Sequence, residues 1–362
     1  MGKMNVKDSK KRQILSKILQ LILFVGLGIF FVWLSFRGLG ADDKLKMRES
    51  IAQINNPMSW IFLILSFSVT ALAHYFRALR SVILIEPLQY KIRKSMSFYS
   101  VMVCYIANLA FPRLGEVLRC TFLQRYEKVP FQKSLGTIVT ERAIDILLWL
   151  ILLIVAILIN TSVLSELVIN EKEGINLGMW LENYGKSMLT NHLLYVIVAI
   201  VAVLGVVIYL TRHKWGKIHF FVKTKHFLHG IWQGLISVKN VKHPVKFVIY
   251  TVMIWVCFFL GTYFCFFAFD FLHGLGPLPA LSVLAFGSIG FMVAQGGLGA
   301  YPLVVAGVMV LYHVDYTAAL AAGWVGWSVQ TIMVIIVGLV SLVLASLTDR
   351  KNNKTETVIA KS

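Results

Sequence analysis

The sequence predicts an all-α polytopic membrane protein with about six full spans and two re-entrant helical hairpins, arranged as an inverted repeat with both termini cytoplasmic. Three observations predict it. The 362 residues are 58% hydrophobic and 14% charged, with a mean hydropathy of +0.75, whereas soluble domains carry about a quarter charged residues. Six apolar stretches, near 18–36, 58–76, 138–159, 193–211, 247–269 and 327–347, are long enough to cross about 30 Å of hydrocarbon at about 1.5 Å of helical rise per residue. The basic residues fall in blocks: 1–17, 77–96, 112–133, 212–246 and 349–362 together hold 28 of the 35 lysines and arginines.

The elements follow in order. The N-terminus at 1–17 carries Lys3, Lys7, Lys10, Lys11, Arg12 and Lys17, and the positive-inside rule places it in the cytoplasm. The first span is read as an uncleaved anchor, because its apolar run exceeds a signal-peptide core and no small-x-small cleavage site follows. Segment 37–57, with four basic and three acidic residues, lies outside, and the span at 58–76 returns the chain inside. The span at 138–159 must also start inside, so 97–133 enters and leaves from the cytoplasmic side. Its first arm, 97–111, is too short to cross, and Pro112 and Gly115 turn the chain back.

The second half repeats this order with the sense reversed. Segment 160–192, with two basic and four acidic residues, lies outside, and 193–211 returns inside. The loop 212–246 holds eight basic residues and no acid, and its apolar positions at helical spacing suit either an interfacial helix or a basic loop. After the span at 247–269, the segment 280–312 enters from the outer side around Gly287, Gly290, Gly296, Gly297, Gly299 and Pro302. The membrane domain therefore covers 18–348, in halves of about 18–160 and 193–348, with a cytoplasmic tail at 349–362. Broken apolar segments at matching positions of two inverted halves point to a midplane transport site.

The charge in the membrane is concentrated. Glu141 and Asp145 are four apart, hence on one helical face, with Arg142 beside them. The hairpin upstream supplies Asn108, Arg113, Glu116 and Arg119. Two of its arginines are expected to meet Glu141 and Asp145, while Glu116 meets Arg142. Charges deep in a span are costly and mark function or pairing, and arginine forks match phosphate in bidentate fashion. The group reads either as a phosphate-seeking pocket or as a staple at headgroup level. The net charge of +18 records topology and attraction to anionic lipid, not nucleic-acid binding. His74, beside Tyr75 and Arg77, reads as a boundary residue, a headgroup contact or a proton relay. Cys104, Cys120, Cys257 and Cys265 have no metal-like spacing. No phosphate-binding loop, metalloprotease motif or dinucleotide fingerprint occurs, so no catalytic residue, metal or cofactor is expected.

The motifs NLAFPRLGEVLR, GTIVTERAIDILLW and AQGGLGAYP resemble the lysylphosphatidylglycerol synthase transmembrane-region family, also called the flippase-like domain. In fused relatives the module moves an aminoacylated lipid made by an attached transferase. Fourteen residues follow Thr348 here, so the expectation is the membrane module without that transferase. The resemblance marks Asn108, Pro112, Arg113, Gly115, Glu116, Arg119, Glu141, Arg142, Asp145, Gly296, Gly297, Gly299 and Pro302 as its motif positions.

The resulting expectation is a transporter of an anionic or phosphate-bearing lipid in the inner, cytoplasmic membrane, with membrane lipids and lipid- or glycan-assembly proteins as partners. The alternatives are an accessory scaffold of such an assembly and a membrane-embedded enzyme acting on a lipid phosphate.

Overall fold

A computed structural model describes residues 26–111, 113–160 and 240–359. The expectations for the N-terminus, the first part of the first span, Pro112, the segment 161–192, the span at 193–211 and the basic stretch at 212–235 lie outside the described residues. Those residues form helices and short turns, and no strand occurs among them.

The first half contains α1 (Gly26–Phe36), α2 (Ala41–Ala52), α3 (Pro57–Ile85), α4 (Lys94–Ala110), α5 (Leu114–Glu127) and α6 (Phe131–Ile159). The second contains α7 (Pro244–Phe266), α8 (Pro277–Val293), α9 (Ala300–Val310) and α10 (Tyr316–Ile359). Among the described residues, four helical stretches are long and apolar enough to cross a membrane: Pro57–Leu88, Phe131–Ile159, Pro244–Phe266 and Tyr316–Thr348. They carry bare apolar surface such as Ile64, Leu147, Leu158, Val248 and Val343. In water such surface would be a liability, and in lipid it is solvated. The chain is a multi-pass membrane protein.

Helix starts are set locally. Asn56 caps α3, its Oδ1 accepting from the Met58 amide at 3.0 Å, with Pro57 at the first helical position. Proline also opens α7 and α8, where its missing N–H costs no hydrogen bond. The second span overruns its expected end: α3 continues from 76 to Ile85. Arg77 and Arg80 do not stop the helix, because an acid on another helix neutralises them.

The long helices α3 and α7 pack together along their length, and the Ser66 hydroxyl donates to the Gly261 carbonyl at 2.7 Å. The segments between the long helices are two hairpins. In the first, α4 and α5 fold back on each other, with Met96 and Val103 meeting Phe122 and Gly115 lying against Cys104 and Asn108. In the second, α8 and α9 do the same, with Gly287 and Gly290 against Tyr301 and Ser282 hydrogen-bonded to Tyr312 at 2.7 Å.

The open end of the first hairpin packs at the C-terminal end of α3, where Ile85 meets Ile92, Leu123 and Val129, and that of the second at its N-terminal end, where Ile54 and Leu63 cluster with Phe269 and Leu272. Their contacts are exchanged: α6, from the first half, packs on α8, and α10, from the second, packs on α4. Trp149 Nε1 donates to the Ala285 carbonyl at 2.9 Å across the α6–α8 contact. Asn160, at the end of α6, donates to Ser282 at 2.8 Å and accepts from the Tyr312 hydroxyl. The tips of the two hairpins meet. Gln295 Nε2 donates to the Asn108 carbonyl, and Leu109 covers Gly296.

Candidate functional site

The site is built where α3, α5 and α6 converge beside the tip of the first hairpin. Arg119, 1% exposed, makes a bidentate fork with Glu141, 2% exposed, at 2.9 and 3.0 Å. The same guanidinium donates to Ser81 at 2.8 Å. Asp145 accepts from Arg80 at 2.7 Å and lies 3.2 Å from Arg77. Arg142 faces Glu116 at a looser 3.4 Å, and this pair is the more exposed part of the group, with side chains 37% and 25% accessible. Arg77 lies over the rings of Tyr105 and Phe258, and Arg142 lies over the Tyr105 ring at 5.7 Å. Each carboxylate is compensated by at least one guanidinium, the condition under which charge can be kept in a low-dielectric interior.

The hairpin tip depends on local chemistry that motif reading locates. Arg113 takes a left-handed conformation, φ 61° and ψ 2°, just before α5. Asn108 then closes the break: its Oδ1 accepts from the Gly115 amide at 2.8 Å, and its Nδ2 approaches Glu116 Oε1 at 3.3 Å. A Cβ at Gly115 would stand 2.0 Å from the Cys104 carbonyl oxygen, so this helix pair requires glycine there. Asn108 therefore links the charged group to the junction with the second hairpin.

The expected pairings divide. Arg119 meets Glu141 and Arg142 meets Glu116, as the spacing implies. Asp145 is different: its partners are Arg77 and Arg80 from α3, while Arg113 stands exposed at the tip. The reason is the left-handed turn, which takes Arg113 out of the packed α5–α6 interface. Sequence reading counts Arg80 only among loop charges and treats Arg77 as a neighbour of His74. A periodicity signal existed, since Arg77, Arg80 and Ser81 recur at helical spacing on one face of a helix that continues past 76. His74 is buried against Tyr105, with ring centroids 4.3 Å apart.

The second hairpin brings together the remaining motif residues without charge. Gly296, Gly297 and Gly299 all have positive φ, at 60°, 73° and 72°. Gly299 lies against the backbone of Phe31 and Val32 in α1. Pro302, inside α9, packs against Gly323 of α10. Trp327 donates to the Gly296 carbonyl at 2.8 Å. Behind this turn a small cavity is lined by Ser66, Thr262, Tyr301 and Gln330. The four cysteines are buried and free. Among the described residues no group of three histidine, cysteine or acidic side chains converges as a metal site.

Comparison with known families decides the chain's kinship. The model described as the lysylphosphatidylglycerol synthase TM region matches residues 17–338. The chain belongs to this family. No curated protein and no solved structure matches it significantly. As a member of the lysylphosphatidylglycerol synthase TM-region family, with its apolar helices, it is a lipid-related membrane protein. The charged group and both hairpin tips lie inside the matched residues.

Proposed function

We propose that the protein carries an anionic, phosphate-bearing lipid between the leaflets of the inner, cytoplasmic membrane. The observation that carries the reading is the buried arginine network of α3, α5 and α6, which reaches the surface at Arg142–Glu116 and the tip junction at Asn108. Ionised side chains inside a membrane bundle are expensive to keep and face a pathway, a ligand or each other. Arginine presents the fork that phosphate oxygens match.

Three features support the transport reading. The exchanged packing of α6 on α8 and α10 on α4, with α3 against α7, suits two inverted halves. Both hairpins break at depth and meet tip to tip, as in carriers that bind substrate between opposed broken helices. Irregular backbone at that depth is tolerated when protein or a wet path surrounds it. The charge is also polarised. Around the open end of the first hairpin stand Lys91, Arg93, Lys94, Arg125, Lys128 and Lys133 against Glu86 and Glu127. The opposite end mixes Asp42, Asp43, Glu49, Asp270 and Asp315 with Arg37, Lys44, Lys46 and Arg48. By the positive-inside rule the first hairpin is re-entrant from the cytoplasm and the second from outside.

In this mechanism the headgroup reaches the network from the cytoplasmic leaflet, with Arg142 leaving Glu116 for the phosphate. It then passes the tip junction as one half rocks against the other, while the acyl tails stay in lipid. Glu116, Glu141 and Asp145 hold the arginines when no lipid is bound. The protein makes and breaks no covalent bond in this reading.

The test is movement of fluorescent anionic lipids in proteoliposomes containing the purified protein. Arg142→Gln and Arg113→Ala, both at accessible positions, are expected to slow transport while leaving the fold intact. Wild-type rates in both variants would remove the first hairpin from the path. Absence of movement for every lipid tested would favour the scaffold role.

A further inference from the structure

We infer that the cavity behind the second hairpin binds a dehydrated sodium ion, and that this ion couples the two halves during transport. The site stands on geometry, and its coupling rests on the lipid-transport reading. The cavity has a volume of about 20 Å³, room for one water-sized species. Its polar lining comes from Ser66 of α3, Thr262 of α7, Tyr301 of α9 and Gln330 of α10, of which Ser66, Thr262 and Tyr301 are buried.

The first argument is the direction of the hydrogen bonds. A carbonyl only accepts, so a hydroxyl paired with one has given up its proton. Ser66 donates to the Gly261 carbonyl at 2.7 Å and Thr262 to the Phe258 carbonyl at 3.1 Å, and each hydroxyl oxygen keeps lone pairs to offer. Tyr301 and Gln330 bond to each other. The lining is therefore richer in acceptors than in donors. A water molecule uses both, whereas a cation uses acceptors alone.

The second argument is charge. Among the described residues that line the cavity none is acidic, which suits one positive charge better than two. Cys265 and Phe266, also in the lining, stand in the last turn of α7, and the carbonyl end of a helix carries about half a negative charge. Carriers built from broken helices use such ends to coordinate their coupling ion. Ser66 lies eleven residues before Arg77 on α3, about 16 Å along the axis, so the cation is out of contact with the guanidinium groups. The coupling follows from where the ligands come from. Ser66 belongs to the first half and the other three to the second, so the site is complete only while α3 packs on α7, and rocking of one half against the other opens it.

The experiment melts the full chain in phosphatidylcholine nanodiscs in sodium, potassium or choline chloride at equal ionic strength. Sodium is expected to raise the melting temperature saturably by about 2–4 °C over choline, with potassium close to choline. Thr262→Val, which keeps the shape and loses the hydroxyl, is expected to melt close to wild type in choline and to lose most of the sodium shift. Ser66→Ala tests the ligand from the other half in the same way. No shift specific to sodium, or one kept by both variants, overturns the site. In proteoliposomes a sodium gradient is expected to drive fluorescent anionic lipid toward one leaflet with wild type and not with Thr262→Val. A sodium-specific shift with lipid movement indifferent to the gradient overturns the coupling and leaves the site. A sodium-specific shift with no lipid moved under any gradient sinks the lipid-transport reading instead.

Discussion

The two hairpins solve one geometric problem with different chemistry. Each must break a helix, turn and run back. In α4–α5 the described part of the turn holds a left-handed arginine, and the turn is closed by an asparagine side chain and backed by buried charge. In α8–α9 it is made by three glycines at positive φ, closed by a tryptophan and by direct backbone packing on α1. The difference separates two jobs. Glycine turns allow backbone to approach backbone, which suits a seal or a hinge. A side-chain cap next to paired charges places exchangeable polar groups at the same depth, which suits ligand binding.

The largest expected effect comes from breaking the charge on the first hairpin. Glu141→Ala leaves Arg119 buried and unpaired, and the expected loss is about 3–5 kcal/mol, read as a fall in melting temperature in detergent. Replacing both partners, Arg119→Met with Glu141→Leu, is expected to recover most of that stability, since paired apolar substitution of a buried ion pair is often neutral or stabilising. Transport by the double variant then divides the possibilities. A stable but inactive protein assigns the pair to the lipid path, and a stable, active one reduces it to a staple.

The second hairpin is expected to respond to shape alone. Gly299→Ala places a Cβ 2.5 Å from the Val32 amide nitrogen at a φ of +72°. Left-handed backbone costs a non-glycine residue about 1–2 kcal/mol, and the contact adds to it. The variant is expected to melt lower than wild type but to keep its preference among lipids. A changed preference would place substrate recognition on both hairpins and erase the distinction.

Much of this architecture was legible beforehand, and the parts that were not share a cause. Hydropathy and length locate α3, α6, α7 and α10, because burial in lipid is a property of whole stretches. Proline and glycine locate both breaks, because backbone geometry is local. The pairs Arg119–Glu141 and Arg142–Glu116 follow from short-range spacing within one hairpin and the helix after it. The pairing of Asp145 with Arg77 and Arg80 does not, since it depends on how α3 packs laterally and on α3 continuing past 76. The same holds for Gln295 and Asn108, which are 187 residues apart and meet because the tips of two hairpins pack against each other. Tertiary packing decides such partners, and a single sequence carries little record of it.

A smaller effect probes that meeting point. Gln295→Leu removes the donor to the Asn108 carbonyl, and the expected cost is about 0.5–1.5 kcal/mol. If the junction is a barrier between the halves, leaflet exchange rises while lipid preference holds. A transport rate at or below wild type would mean that the contact is part of the path rather than its closure.

The smallest expected effect distinguishes a site from a field. Arg93 and Glu127 pair at 2.8 Å at the open end of the first hairpin, with the arginine side chain 42% accessible. They share the chemistry of Arg142 and Glu116 but stand at the open end of the hairpin rather than beside the buried network. Glu127 is only 5% accessible, but it also accepts from the backbone amide of residue 93 at 3.1 Å, a bond that the variant keeps, so Arg93→Ala is expected to cost about 1 kcal/mol and to leave transport close to wild type. Removing one surface charge would lower transport only if the basic end acts by gathering anionic lipid, and raising the salt concentration would then mimic the variant. Loss in Arg142→Gln but not in Arg93→Ala, with little salt dependence, would place recognition at the Arg142–Glu116 pair, which touches the buried network, rather than in the general field of the basic end.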